Sequence, residues 1–161
     1  MSISFSGSEL VDIAIGIEKD GIAFYDVMAR STKNAVTRDF FQYLADTERE
    51  HIAIFQGMLA EADTWQMPAL YAQEYDAYLR ALVDSFIFTK EKITGVVATD
   101  ADTYVQALEL AIGAEKDSIL FYSEMKEAIA PGAKEILEKI ITEEKSHFKK
   151  LSELKKKLTS I

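Results

Sequence analysis

Glu48-Arg49-Glu50-His51 places a carboxylate and an imidazole three residues apart, and on a helix such a pair shares one face. That face is otherwise apolar: Phe41, Leu44 and Ala45 precede Glu48, and Ile52 and Phe55 follow it. Two metal-binding groups therefore point into a core. The arrangement returns at Glu144-Lys145-Ser146-His147, after Leu137, Ile140 and Ile141 and before Phe148 and Leu151. His51 and His147 are the two histidines of the chain, and each has a glutamate three residues before it.

The duplication extends upstream of both motifs. AIGIEKDGIAFY at residues 14–25 reappears as AIGAEKDSILFY at residues 111–122, with nine of twelve residues identical at an offset of 97, against 96 for the two Glu-x-x-His motifs. One helical hairpin is thus written twice. Helical spacing predicts helices over about 8–31 and 35–62, then 102–130 and 133–158. Ser6 with Glu9 is a capping box for the first, the polar cluster Ser31-Thr32-Lys33-Asn34 separates the first pair, and Pro131-Gly132 stops the third. Connections this short make each pair antiparallel.

Hairpin 1 covers residues 8–62, a crossover 63–101, and hairpin 2 102–158 of a single domain. Trp65-Gln66-Met67-Pro68 breaks the chain at the start of the crossover. A shorter helix follows through Leu70, Tyr71, Tyr75, Tyr78, Leu79, Leu82, Val83 and Phe86, and Gly95 with Thr99-Asp100-Ala101-Asp102 closes the segment. Two hairpins burying their apolar faces against each other, with one long, partly helical connection, make an all-α, ferritin-like four-helix bundle.

Composition agrees and excludes several alternatives. The 161 residues, 48% hydrophobic, are enough for one core, and two prolines with seven glycines favour long helices. A net charge of −9 would repel phosphate backbones and anionic lipid, so neither nucleic acid nor a membrane is an expected partner. Lys155-Lys156-Lys157 sits at a helix end, where lysines meet the negative end of the dipole and stay solvated. The absence of cysteine rules out disulfides, thiolate-bound zinc, iron–sulfur clusters and a cysteine nucleophile in this polypeptide. With no basic leader and no apolar stretch near membrane-spanning length, a soluble, cytoplasmic protein is expected.

The repeat also places one glutamate in the core stripe of each remaining helix. Glu18 falls among Val11, Ala14, Gly21, Ile22 and Tyr25, and Glu115 among Leu108, Ala111, Ile112, Ser118, Ile119 and Tyr122. Buried carboxylates cost on the order of several kcal/mol each unless compensated. Four gathered in one layer must protonate or bind cations, and two divalent ions balance their charge. Oxygen-rich ligation with one imidazole per ion suits iron or manganese, while affinity alone leaves zinc or copper open. Tyr25 and Tyr122 are placed either to hydrogen-bond ligand carboxylates or to act as ordinary core tyrosines. Asp20 and Asp117 point away from the core glutamates and read as surface charges, and the Tyr71, Tyr75, Tyr78 series reads as a cover on the bundle or a subunit contact.

On Glu18, Glu48-x-x-His51, Glu115 and Glu144-x-x-His147 the chain resembles the rubrerythrin branch of the ferritin-like di-iron carboxylate proteins, over nearly its whole length. The resemblance implies two irons, oxo-bridged when oxidised, with Glu48 and Glu144 bridging, Glu18 and Glu115 as terminal ligands, and His51 and His147 binding one iron each. It implies reduction of hydrogen peroxide, or of O₂, to water, and it leaves a homodimer open. Two departures stand out. Rubrerythrins usually draw electrons through a cysteine-ligated iron domain, and a chain without cysteine would need a separate donor protein or reductase. Rubrerythrins also carry a further glutamate one turn from the ligand on the third helix, where this chain has Ile112 and Ser118. The competing expectations are iron binding with ferroxidase activity, and a bundle whose site is only structural.

Overall fold

A computed structural model describes residues 5–65, 72–86, 101–129 and 131–160. Its helices are α1 (Gly7–Ser31), α2 (Ala35–Ala62), α3 (Ala72–Asp84), α4 (Ala101–Ala128) and α5 (Pro131–Thr159). There is no strand among the described residues. The helix starts have local causes. The Ser6 hydroxyl accepts the Glu9 N–H at 3.1 Å while Glu9 Oε2 accepts the Ser6 N–H at 2.7 Å, the predicted capping box. Asn34 caps α2 by accepting the Thr37 N–H at 3.0 Å.

α1 packs along α2, and α4 along α5; the hairpins join where α1 meets α4 and α2 meets α5, and α3 lies against α4. Tyr75 on α3 is half-buried and donates its hydroxyl to the Glu124 carbonyl on α4 at 2.6 Å, whereas Tyr78 is exposed. Tyr75 therefore serves as part of a cover. Tyr71, Gln66–Pro68, Gly95 and the Thr99-Asp100 part of the expected turn lie outside the described residues. Two boundaries differ from expectation. Ala101 and Asp102 already belong to α4, and Pro131, expected to stop a helix, is the first residue of the next one. At that position an N–H would have no intrahelical partner, so a proline costs nothing there.

The bundle core divides into two apolar clusters. One gathers Leu10, Val11, Ala14, Phe55, Met125 and Ile140 with their neighbours. The other gathers Phe24, Met28, Phe41, Leu44, Leu108 and Leu151. Along each long helix the sequence passes from one cluster to the other through a buried polar residue or pair. Glu18, Glu48, His51, Glu115, Glu144 and His147 lie in that intervening layer, with Thr47 and Ser118 beside them.

The first hairpin is closed where its two ends meet. Ser8 Oγ donates to Asp63 Oδ1 at 2.7 Å, and a Cβ on Gly7 would fall 1.6 Å from the Ala62 carbonyl oxygen. Because that obstacle is backbone, Gly7→Ala must part the ends of α1 and α2. A loss of about 1–3 kcal/mol is expected in urea denaturation, and an unchanged midpoint would contradict this close approach.

Candidate metal centre

Within Glu48-Arg49-Glu50-His51, midway along α2, the two middle side chains turn out and the outer two turn in. Arg49 turns out and pairs with Asp26 on α1 at 2.8 Å and with Asp46 at 2.9 Å, and Glu50 lines a surface pocket. Glu48 and His51 turn in. Glu18, Glu48, His51, Glu115, Glu144 and His147 are all buried, none more than 3% exposed. All six residues expected at the site thus come together.

Among the described residues their ligand atoms form two groups, each within 4.8 Å: Glu18, Glu48, His51 and Glu144, and Glu48, Glu115, Glu144 and His147. Glu48 and Glu144 belong to both. Around Nδ1 of His51 stand Glu144 Oε1 at 3.0 Å, Glu48 Oε2 at 3.1 Å and Glu18 Oε1 at 3.5 Å. One ring N–H cannot satisfy three carboxylate oxygens. Glu144 Oε1 accordingly lacks a properly directed hydrogen bond despite its short distance, as do Glu115 Oε2 and both nitrogens of His147. Buried polar atoms without partners are costly, and these converge from α4 and α5 on one layer. The donor set, carboxylate oxygens with one imidazole per group, fits a pair of divalent ions.

The electrostatics of the metal-free protein show the same crowding. Burial and the charges of its neighbours push Glu48 and Glu115 well above the usual carboxylate range. Burial, with Glu48 and Glu18, raises Glu144 to about 8. Burial also opposes ionisation of Glu18, but hydrogen bonding to Glu48 and His51 outweighs it and lowers Glu18. The histidines diverge. Burial disfavours the charged form of both, yet hydrogen bonds to Glu144, Glu18 and Glu48 raise His51 far above the imidazole range. His147, facing the charge of His51, is pushed down to about 4.

The tyrosines resolve as carboxylate partners. Tyr25 donates to Glu115 Oε1 and Tyr122 to Glu18 Oε1, so each reaches the glutamate of the other repeat. Burial raises both phenols, which keeps them protonated donors. Ser118 is buried and donates to the Ala114 carbonyl at 3.1 Å. With Gly21, Glu18, Tyr25, Glu48 and Glu115 it lines a cavity of about 20 Å³. Asp20 and Asp117, read as surface charges, are half-buried and both line a cleft with Ile17, Ala114 and Phe86.

One residue at the site was not anticipated. Glu143, next to the inward Glu144, sits within 2.7 Å of His51 Nε2 through its Oε2. Its signal in the sequence is its place four residues before His147, one helical turn away on the same side. A larger pocket of about 470 Å³, lined by Asp39, Gln42, Tyr43, Asp46, Thr47, Glu50 and Glu143, opens outside this contact.

No helix among the described residues is long and apolar enough to cross a membrane. No curated protein matches the chain. A solved structure from Thermotoga maritima, described as a ferritin-like diiron-carboxylate protein, is similar at 28% identity and a TM-score of 0.72, over 97% of this chain and 98% of that one. The rubrerythrin family model matches residues 9–155. With the bundle and its buried carboxylate–histidine layer, that match makes the chain a member of the rubrerythrin family, an iron-binding protein of the di-iron oxidoreductase type.

Proposed function

We propose that the protein reduces hydrogen peroxide to water, with O₂ as a slower substrate, using electrons from a separate donor protein or reductase in the cytoplasm. The observation that carries this reading is the 20 Å³ cavity against Glu18, Glu48 and Glu115. It has room for about one water-sized molecule, which suits a small oxidant and not an organic substrate.

Glu48 and Glu144, common to both groups, would bridge two irons; Glu18 with His51 and Glu115 with His147 would each serve one. Two bound irons supply the two electrons that, with two protons, take one peroxide to two waters. Zinc would fill the same cage without redox chemistry. The chain's own residues do the rest. Tyr25 and Tyr122 hold the two terminal carboxylates in place through their hydroxyls. The flanking apolar clusters exclude bulk water and larger reductants. Ser118 carries no carboxylate to the cavity, so that turn offers no fifth carboxylate to add to the four of the proposed six-residue set.

A second reading, Fe²⁺ oxidation for iron handling, is favoured by the pocket of Asp39, Asp46, Glu50 and Glu143 outside the histidines. Anaerobic Fe²⁺ titration followed by separate mixing with peroxide and O₂ distinguishes the two. Peroxide reduction requires saturation at two irons per chain, faster oxidation by peroxide than by O₂, and repeated turnover with an added donor. Uptake well beyond two irons would favour iron handling. Glu18→Ala with Glu115→Ala should lower iron affinity at least tenfold; unchanged metal content would remove these residues from the ligand set.

Charge compensation makes a further prediction. Glu144, raised to about 8 from 4.5, stabilises the metal-free fold fully below the lower value and loses that contribution as pH rises through the higher one. His147, lowered to about 4 from 6.5, contributes in the opposite sense, but only below the higher of its two values. Between about pH 6.5 and 8 the melting temperature of metal-free protein should therefore fall with pH, and two bound divalent ions should abolish the fall. A flat metal-free profile would contradict the buried-carboxylate account.

A further inference from the structure

The two halves of the repeat differ at a position that touches the centre. Nε2 of His51 meets Glu143 Oε2 at 2.7 Å, while Nε2 of His147 is buried without a hydrogen-bond partner. At the offset of 96 that relates the motifs, position 143 corresponds to position 47. Thr47 directs its hydroxyl to the Tyr43 carbonyl at 3.0 Å. The Tyr43 ring stands perpendicular to the His147 ring, with centroids 6.1 Å apart, and Lys150 Nζ lies 4.8 Å from the Tyr43 ring centre. An anion backs one imidazole; an aromatic ring with a cation beyond it stands beside the other.

We propose that Glu143 is a positioning residue that makes the two metal positions unequal: the one between Glu18 and His51 binds first and holds its ion, and the one between Glu115 and His147 binds second and exchanges. The inference rests on the ligand set proposed above. An imidazole can offer its Nδ1 lone pair only with the ring proton on Nε2. At His51 a carboxylate accepts that proton, which fixes the tautomer, orients the ring and raises the basicity of Nδ1. At His147 no group among the described residues does. The distances run the same way. Nδ1 of His51 lies 3.0, 3.1 and 3.5 Å from oxygens of Glu144, Glu48 and Glu18. The corresponding distances from Nδ1 of His147 to Glu48, Glu115 and Glu144 are 3.5, 3.8 and 4.0 Å. Thr47 and Glu143 line the same surface pocket of about 470 Å³, so a longer side chain at position 47 has room.

The test titrates metal-stripped, full-length protein with Co²⁺ under anaerobic conditions, following d–d absorption with a competing chelator. Wild type should bind two ions in two steps of one ion each, the first at least tenfold tighter. Glu143→Leu should weaken the first step about 10–100-fold and leave the second in place. Glu143→Gln, which keeps an acceptor for the ring proton, should recover part of that loss, and Thr47→Glu should tighten the second step. Circular dichroism and melting temperature verify that each variant is folded. Two ions bound in one unresolved step by wild type, or an equal weakening of both steps in Glu143→Leu, would overturn the inference while leaving the ligand set intact. Saturation at a number other than two would overturn the ligand set itself.

Discussion

Four carboxylates held in a dry layer are the constraint on which the rest of this structure depends. Glu18, Glu48, Glu115 and Glu144 come from four different helices, and apolar clusters on either side keep water out. Mutual repulsion in such a layer works against the packing that creates it. Protons relieve the repulsion in the metal-free protein, and divalent ions relieve it in the loaded one. The affinity for metal is in this sense stored in the fold. The apolar clusters could not close around the layer unless something positive entered it.

Duplication accounts for how one chain assembles such a site. Each hairpin supplies a core glutamate, a Glu-x-x-His pair and a tyrosine, and the halves come together in one buried layer. Tyr25 donates to Glu115 and Tyr122 to Glu18, so the carboxylate that each tyrosine holds lies in the other half. The symmetry is not kept everywhere. Glu143 stands opposite Thr47 in the repeat and gives His51 a partner that His147 lacks. At Gly21 and Ser118 both halves carry small residues, and the resulting cavity reaches the carboxylates from the α1–α4 side, whereas the acidic pocket lies between α2 and α5.

Much of this was legible in the chain. Helical periodicity and the two copies of Glu-x-x-His turned Glu18, Glu48, His51, Glu115, Glu144 and His147 inward, because a residue's inward or outward direction follows from its spacing to apolar neighbours. The capping box at Ser6 gave the start of α1 to within a residue. Spacing along one helix says nothing about what lies across the bundle. The partners of Tyr25 and Tyr122, the reach of Glu143 to His51, and the cleft that Asp20 and Asp117 both line all depend on how two hairpins are set against each other. The start of α5 differs for another reason: α4 does end before Pro131, at Ala128, but proline also suits the first position of a helix, and only the backbone shows that it begins the next one.

The central claim is that these six residues together hold two metal ions. Crystals of protein loaded anaerobically with Fe²⁺, measured on both sides of the iron absorption edge, test it most directly. The account predicts two anomalous peaks per chain, each ringed by one of the two four-residue groups, with Glu48 and Glu144 shared between them. A single peak, or peaks confined to the acidic surface pocket with the buried layer still metal-free, would contradict it.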